Sequence, residues 1–136
     1  RESLLDITDR SITAEKVIDY LKKIIAQRGL PKVIRCDNGP EFIANAIGEF
    51  AENKLGIHYI PPGQPWRNGY VESFNSRVRD ECLNMNSFDH IYEARTIISD
   101  WKEDYNKYHR HSKLGYLTPN EYAAKCTCIH NSKTLK

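Results

Sequence analysis

The sequence predicts an α/β fold, because short apolar strands alternate with amphipathic helical patterns. Two runs, Lys32–Cys36 and Ile57–Ile60, have the length and apolar content of strands. Apolar residues recur at helical spacing before and between these two runs. Strands that alternate with helices are typical of α/β proteins, whose functional groups gather at the carboxyl ends of the strands.

Capping residues predict where the helices begin and end. Thr13 can cap a helix that runs to about Arg28, and Gly29 is expected to end it. Thr118-Pro119-Asn120-Glu121 combines a capping box with proline at the first helical position. The other predicted elements are a strand over Ser3–Thr8, a helix that follows the Asn38-Gly39-Pro40 turn and ends at Leu55, a loop over Pro61–Gly69, a helix from about Tyr70 to Leu83, and a long helix capped by Ser87.

Length and composition fit one compact domain with a short tail. The chain has 136 residues, of which 40% are apolar, enough for a single core. We expect a core domain over residues 1–125 and a polar tail over residues 126–136. The net charge of +2 does not indicate a nucleic-acid binder, so a DNA surface would need local clustering. Without an apolar run of membrane-spanning length or a signal peptide, the expected location is the cytoplasm, with no membrane partner.

The four cysteines are not expected to form disulfides. Cys36 ends a strand and Cys82 falls on the apolar side of a helix, so both fit small core hydrophobes. Cys126-x-Cys128-x-His130 suggests a metal site, but zinc pairs prefer a gap of about two to four residues and need four ligands. We interpret this motif as an incidental part of the tail.

Asp37 and Glu72 are candidate metal ligands. Asp37 directly follows a predicted strand, Glu72 begins a predicted helix, and positions 38–71 place 34 residues between them. Phosphodiester chemistry needs an activated nucleophile and stabilisation of negative charge, which two divalent ions can supply. Mg²⁺ and Mn²⁺ prefer oxygen ligands. Each acid also has a purely local explanation, Asp37 as a turn former and Glu72 as a first-turn acid favoured by the helix dipole.

Four ordered segments decide between these explanations. They are Asp37-Asn38-Gly39-Pro40-Glu41-Phe42, Asn68-Gly69-Tyr70-Val71-Glu72-Ser73-Phe74-Asn75, Arg79-Asp80-Glu81-Cys82-Leu83-Asn84 and Leu114-Gly115-Tyr116-Leu117-Thr118-Pro119. Residues 30–125 thereby resemble the catalytic core of bacterial insertion-sequence transposases, in the DDE transposase and retroviral-type integrase superfamily. The resemblance implies a ribonuclease H-like mixed sheet flanked by helices, Mg²⁺ or Mn²⁺, and DNA cleavage and strand transfer. It makes Asp37 and Glu72 the second and third catalytic carboxylates.

The sequence departs from the family in lacking a first catalytic aspartate. In the family this residue lies on the first strand, well before the second acid, and only 36 residues precede Asp37 here. By order, Ser3–Thr8 corresponds to the family's third strand, so we expect the first two strands to be missing and Asp6 to be an ordinary strand residue. Because the sequence opens on Arg1, we interpret it as a fragment. Because the first aspartate is missing, we expect this fragment to be inactive alone. We expect Ser3–Thr8 to be displaced, or a second copy to cover the missing edge in a homo-oligomer.

DNA-contact candidates surround the two acids. Glu72, Asn75, Ser76 and Arg79 share one helix face, which is either solvated or runs along DNA. In the second case Arg79 would reach a phosphate and Asn75 a base or sugar. Arg67 in the preceding loop is a further candidate. The residues expected to have structural roles near the site are Asn38, Gly39, Glu41 and Gly69.

Two segments and one histidine keep alternative interpretations. Pro61–Gly69 is either a connector or a mobile active-site flap. Lys107–Lys113 is a basic cluster that either contacts phosphate or forms a solvated loop. His58 fits a packed or edge histidine better than a catalytic base.

The sequence therefore leads to two functional hypotheses of different classes. The first is a metal-dependent polynucleotidyl transferase core that acts on DNA in the bacterial cytoplasm, associated with the nucleoid. The second is a catalytically incomplete DNA-binding or assembly module. A ribonuclease or resolvase-type nuclease fits the motifs less well. An aspartate on an apolar strand upstream of Arg1 in the parent gene would support the first hypothesis.

Overall fold

The structure is a computed structural model that describes residues 1–37, 41–52, 55–61, 63–64 and 68–134, without the side chains of residues 41–44 and 129–134. The helices are α1 (Ala14–Arg28), α2 (Glu41–Ala51), α3 (Gly69–Arg77), α4 (Ile91–Tyr108) and α5 (Pro119–Thr134), and the strands are β1 (Val33–Asp37) and β2 (Gly56–Ile60). One compact unit comprises residues 9–86, and a second comprises residues 1–8 and 87–136. None of the helices in the described ranges is both long and apolar enough to cross a membrane.

The first unit contains a parallel pair of strands joined through a helix. β1 pairs with β2 in a register that runs from Val33 opposite Gly56 to Asp37 opposite Ile60. Ile47 and Ala51 of α2 and Ile60 of β2 are buried, and α2 contacts β2. Burial alternates along β1, as the two-residue period of a strand requires, so that Asp37 is exposed. The predicted α/β class is confirmed.

The predicted boundaries of α1 are also confirmed. Thr13 is the N-cap, and its hydroxyl oxygen accepts a hydrogen bond from the backbone N–H of Lys16 at 3.3 Å. Gly29 ends the helix with φ at 86°, a conformation that glycine adopts without the strain of a Cβ atom. The N–H of Gly29 donates to the carbonyl of Ile25 at 2.8 Å.

Two other predicted boundaries are wrong. α2 ends at Ala51 and not at Leu55. The N–H of Glu52 is shared between the carbonyls of Gly48 and Glu49, at 3.1 and 3.3 Å, which is the tightening common at a helix end. The N-cap of α4 is His90 and not Ser87. The Glu93 carboxylate accepts a hydrogen bond from the backbone N–H of Asp89, which stabilises the start of the helix at this point.

The predicted helix from Tyr70 to Leu83 consists of two consecutive segments of different helix type. α3 ends at Arg77, and a π-helix over Val78–Leu83 continues it. The N–H of Asn84 donates to the carbonyl of Arg79 at 2.8 Å, five residues earlier. Cys82 in the π-helix is only 1% exposed, as its predicted core position requires.

The predicted strand at Ser3–Thr8 is wrong. The segment lies against α4, and side chains of α4 satisfy its backbone groups where a neighbouring strand would otherwise do so. The Arg95 guanidinium donates to the carbonyl of Thr8 at 2.8 Å, and Lys102 forms an ion pair with Asp6. Asp6 is thereby engaged in the second unit.

The capping box of α5 is confirmed. The backbone N–H of Thr118 donates to Oε2 of Glu121 at 2.8 Å, and the N–H of Glu121 donates to the Thr118 hydroxyl at 3.3 Å. Pro119, at the first helical position, is fully buried. Cys126 and Cys128 are exposed on α5, where residues two apart do not face each other.

Candidate metal and DNA site

Asp37 is the last residue of β1 and lies at the carboxyl end of the parallel pair. The half-buried side chains of β1 are Ile34 and Cys36, and the alternation turns Asp37 away from them. Its Oδ1 accepts a hydrogen bond of 2.9 Å from the side-chain Nδ2 of Asn68. This strand-end carboxylate is thus exposed, and Asn68 donates a hydrogen bond to one of its oxygens.

Asn68 connects this carboxylate to α3. It is the N-cap residue of α3, and its exposed fraction is only 7%. Glu72 lies in the first turn of the same helix and is exposed. The Asp37 carboxylate therefore contacts the residue at which the Glu72-bearing helix begins.

The two acids suit a hard cation better than a soft one. Carboxylate oxygens are the ligands that Mg²⁺ and Mn²⁺ prefer. Among the described residues, no group of three or more His, Cys, Asp and Glu side chains is placed to hold a metal ion. Mg²⁺ usually takes only one or two protein carboxylates and completes its shell with water and substrate oxygens. A site built on Asp37 and Glu72 would therefore need further oxygen ligands.

Cys36, the cysteine beside Asp37, is not suited to act as a metal ligand or a nucleophile. Burial raises the pKa of the Cys36 thiol, and the neighbouring Asp37 charge raises it further. Burial also raises the pKa of Cys82. Metal ligation by cysteine and nucleophilic attack both require a thiolate, and a raised pKa opposes its formation. The chemistry available here is that of carboxylates.

The remaining predicted DNA contacts are only partly described. Asn75 and Ser76 of α3 and Arg79 of the π-helix are exposed, so all three are accessible to a ligand. The π-helix changes the regular α-helical spacing on which the shared-face prediction for Arg79 was based. Arg67, Asn38 and Gly39 lie outside the described residues. Glu41 and Gly69 begin α2 and α3, and the Glu41 side chain is also outside the described part.

The basic cluster Lys107–Lys113 is in part structural. Lys107 pairs with Glu103 at 3.0 Å, which raises the pKa of Lys107, and Arg110 donates to the carbonyl of Tyr116 at 2.9 Å. His111 is buried, with its ring edge-on to Tyr105 at a centroid distance of 5.5 Å. These contacts occupy side chains that the sequence alone would assign to a solvated loop or a phosphate surface.

Asn68 is not among the site residues expected from the sequence. The available signal was an asparagine directly before Gly69 at a helix start, which predicts a local cap and not a contact with a strand-end acid. His58 is exposed on β2, opposite Arg35 in the strand register.

A strand-end carboxylate is thus hydrogen-bonded to the residue at which a helix with a second exposed acid begins, on an α/β fold. Residues 53–119 match the family model described as the integrase core domain. The matched range contains Asn68 and Glu72, and Asp37 precedes it.

Insertion-element proteins are similar to this chain over a longer range. An uncharacterized 31.7 kDa protein of insertion element IS407 from Burkholderia multivorans is 40% identical over 126 residues, covering 92% of this chain and 46% of that protein. A 39.2 kDa protein of IS476 from Xanthomonas euvesicatoria is 40% identical over 91% of this chain and 36% of its own length. The Escherichia coli transposase InsD for insertion element IS2D is 31% identical over 94 residues, or 68% of this chain. The chain spans less than half of the length of each of these relatives.

Proposed function

We propose that the chain is part of a DNA transposase whose metal ligands include Asp37 and Glu72. The observation that carries the proposal is the hydrogen bond between Asp37 and Asn68, because it ties the strand-end acid to the start of the helix that bears Glu72. The match of residues 53–119 to the integrase core domain model and the similarity to a transposase support the same function. The proposed fold is ribonuclease H-like, with further strands in the longer protein.

The proposed chemistry is metal-dependent cleavage and joining of DNA. A bound Mg²⁺ or Mn²⁺ would activate the attacking oxygen and stabilise charge on the phosphate and leaving group. Asp37 and Glu72 would supply carboxylate oxygens, and both are exposed to an incoming DNA strand. Arg67, Asn75, Ser76 and Arg79 are the proposed contacts to that strand, with arginine suited to phosphate.

The intact protein is proposed to bring a third carboxylate and to act as a homo-oligomer in the bacterial cytoplasm, on nucleoid DNA. The relatives are more than twice as long as the matched segment, which supports a larger catalytic assembly. We also propose that residues 1–125 form the core and residues 126–136 a tail.

Mn²⁺ binding to the 136-residue chain tests the proposal most directly. Electron paramagnetic resonance measures free Mn²⁺ during a titration. Asp37→Asn and Glu72→Gln should each weaken binding by more than about tenfold, since each removes one of few protein ligands. Asp100→Asn removes an exposed charge on α4 and serves as the matched control. Equal affinity in all four proteins would contradict the proposed ligands.

A nicking assay on oligonucleotides separates this function from the alternative. The alternative is a catalytically incomplete DNA-binding or assembly module. We expect weak metal binding and no strand transfer from the chain alone. Mg²⁺-dependent cleavage that Glu72→Gln abolishes would instead show a complete active site.

A further inference from the structure

We propose that Asn68 is a positioning residue that orients the Asp37 carboxylate for cation binding. This inference rests on the proposed role of Asp37 as a metal ligand. It assigns to Asn68 a function that its place at the start of α3 does not suggest.

Asn68 does not use its side chain as an N-cap residue normally does. Asparagine is favoured at this position because its side-chain oxygen accepts a backbone N–H of the first helical turn. Asn68 is the N-cap of α3, yet it makes no side-chain capping hydrogen bond, and its backbone (φ −115°, ψ 33°) departs from the extended conformation of most caps. Thr13 of α1 has the extended conformation and does cap its helix. The Asn68 side chain is therefore directed to another purpose.

That purpose is visible in the contact with Asp37. Asn68 is 7% exposed, and a buried amide is costly unless it is hydrogen-bonded. Its Nδ2 lies 2.9 Å from Oδ1 of Asp37. An ionised carboxylate only accepts hydrogen bonds, so the amide nitrogen must be the atom that faces it. Oδ2 of Asp37 makes no hydrogen bond to a described residue, which leaves this oxygen for a cation.

The physical consequence is preorganisation. A carboxylate at an exposed strand end can rotate, and a buried donor on one oxygen restricts that rotation. Hydrogen-bonded partners of metal ligands fix the ligand orientation, and their loss typically costs about 10- to 100-fold in metal affinity. Because Asn68 also begins α3, the same contact fixes Asp37 relative to the helix that carries Glu72.

Asn68→Ser in the 136-residue chain distinguishes positioning from capping. Serine caps helices about as well as asparagine, but its side chain is too short to keep the contact with Asp37. We expect Asn68→Ser to weaken Mn²⁺ binding by at least about tenfold, with a melting temperature within a few degrees of the wild-type value. Asn45→Ser changes an exposed asparagine of α2 to which no role is assigned and should leave Mn²⁺ affinity unchanged.

The possible outcomes separate this inference from the function on which it rests. If Asp37→Asn weakens Mn²⁺ binding and Asn68→Ser does not, the positioning role is wrong and the metal site stands. If the wild-type chain binds no Mn²⁺, both are wrong. Should Asn68→Ser fail to fold, nuclear magnetic resonance of the wild-type chain decides: the Asn68 side-chain amide signal should move when Mg²⁺ is added and when Asp37 becomes Asn. An unmoved signal in both cases would overturn the inference.

Discussion

Asn106 holds the backbone of Ser3 through both atoms of its side-chain amide. Oδ1 accepts from the N–H of Ser3 at 2.9 Å, and Nδ2 donates to the carbonyl of Ser3 at 2.7 Å. Asn106 is only 9% exposed on α4. The pair of hydrogen bonds reproduces what a neighbouring strand would provide and explains why the N-terminal segment is ordered without sheet pairing.

We predict that Asn106→Leu detaches this segment. The substitution keeps the volume but removes two hydrogen bonds and leaves two backbone groups of Ser3 without partners, so the free energy of unfolding should fall by about 1–3 kcal/mol. Urea denaturation measures the loss, and hydrogen exchange at the Ser3 amide should accelerate. Asn120→Leu, at an exposed position of α5, should have a much smaller effect. Comparable losses in the two variants would contradict the anchoring role of Asn106.

We predict that Thr118→Ala destabilises the second unit by about 1 kcal/mol or more. Thr118 is 3% exposed, and both its hydroxyl and its backbone N–H are engaged with Glu121. Loss of the hydroxyl leaves the Glu121 N–H without that acceptor. Thermal unfolding followed by circular dichroism checks this.

Thr127→Ala is the matched control for the capping box. Its hydroxyl also bonds within α5, donating to the carbonyl of Ala123 at 3.0 Å, but the position is exposed and that carbonyl already accepts a helical bond. Its removal should change stability by less than about 0.5 kcal/mol. If Thr127→Ala reduced stability as much as Thr118→Ala, the capping box would make no special contribution to stability.

Local chemistry determined which features the sequence could predict. Thr13 and Gly29 mark the two ends of α1 through contacts with residues nearby in the chain, so the local sequence was sufficient to predict both boundaries. The position of Ser3–Thr8 depends on Asn106, which is more than a hundred residues away in the chain. It also depends on whether a neighbouring strand is available for pairing. The contact of Asn68 with Asp37 also depends on the tertiary fold. Sequence patterns thus identified both candidate acids but not the residue at the start of α3 that contacts Asp37.

We predict that Arg79→Ala weakens DNA binding and reduces its salt dependence. If Arg79 contacts one phosphate, the slope of log affinity against log salt should fall in magnitude by about one. Fluorescence anisotropy with a labelled duplex across a salt series measures both quantities.

Arg77→Ala controls for a simple loss of positive charge. Arg77 lies on α3 and pairs with Glu81 at 2.8 Å, so its charge is already partly compensated. Its removal should leave the slope nearly unchanged. Equal slopes for the wild-type and Arg79→Ala proteins would show that Arg79 is a solvated surface residue that does not contact DNA.

The last prediction concerns pH and the buried thiol of Cys82. Burial raises its folded-state pKa above the ordinary value of 9.0. The folded protein then retains a proton that the unfolded chain releases, so stability is complete below the unfolded-state pKa and falls as pH rises through the folded-state value. Urea denaturation between about pH 8 and 11 should show a steeper loss for the wild-type chain than for Cys82→Ala, although the cavity makes that variant less stable at every pH. Alkylation gives an independent check, because exposed Cys126 and Cys128 should react at pH 8 well before Cys82. Parallel pH profiles for the two proteins, together with early modification of Cys82, would show that this thiol is not buried in solution.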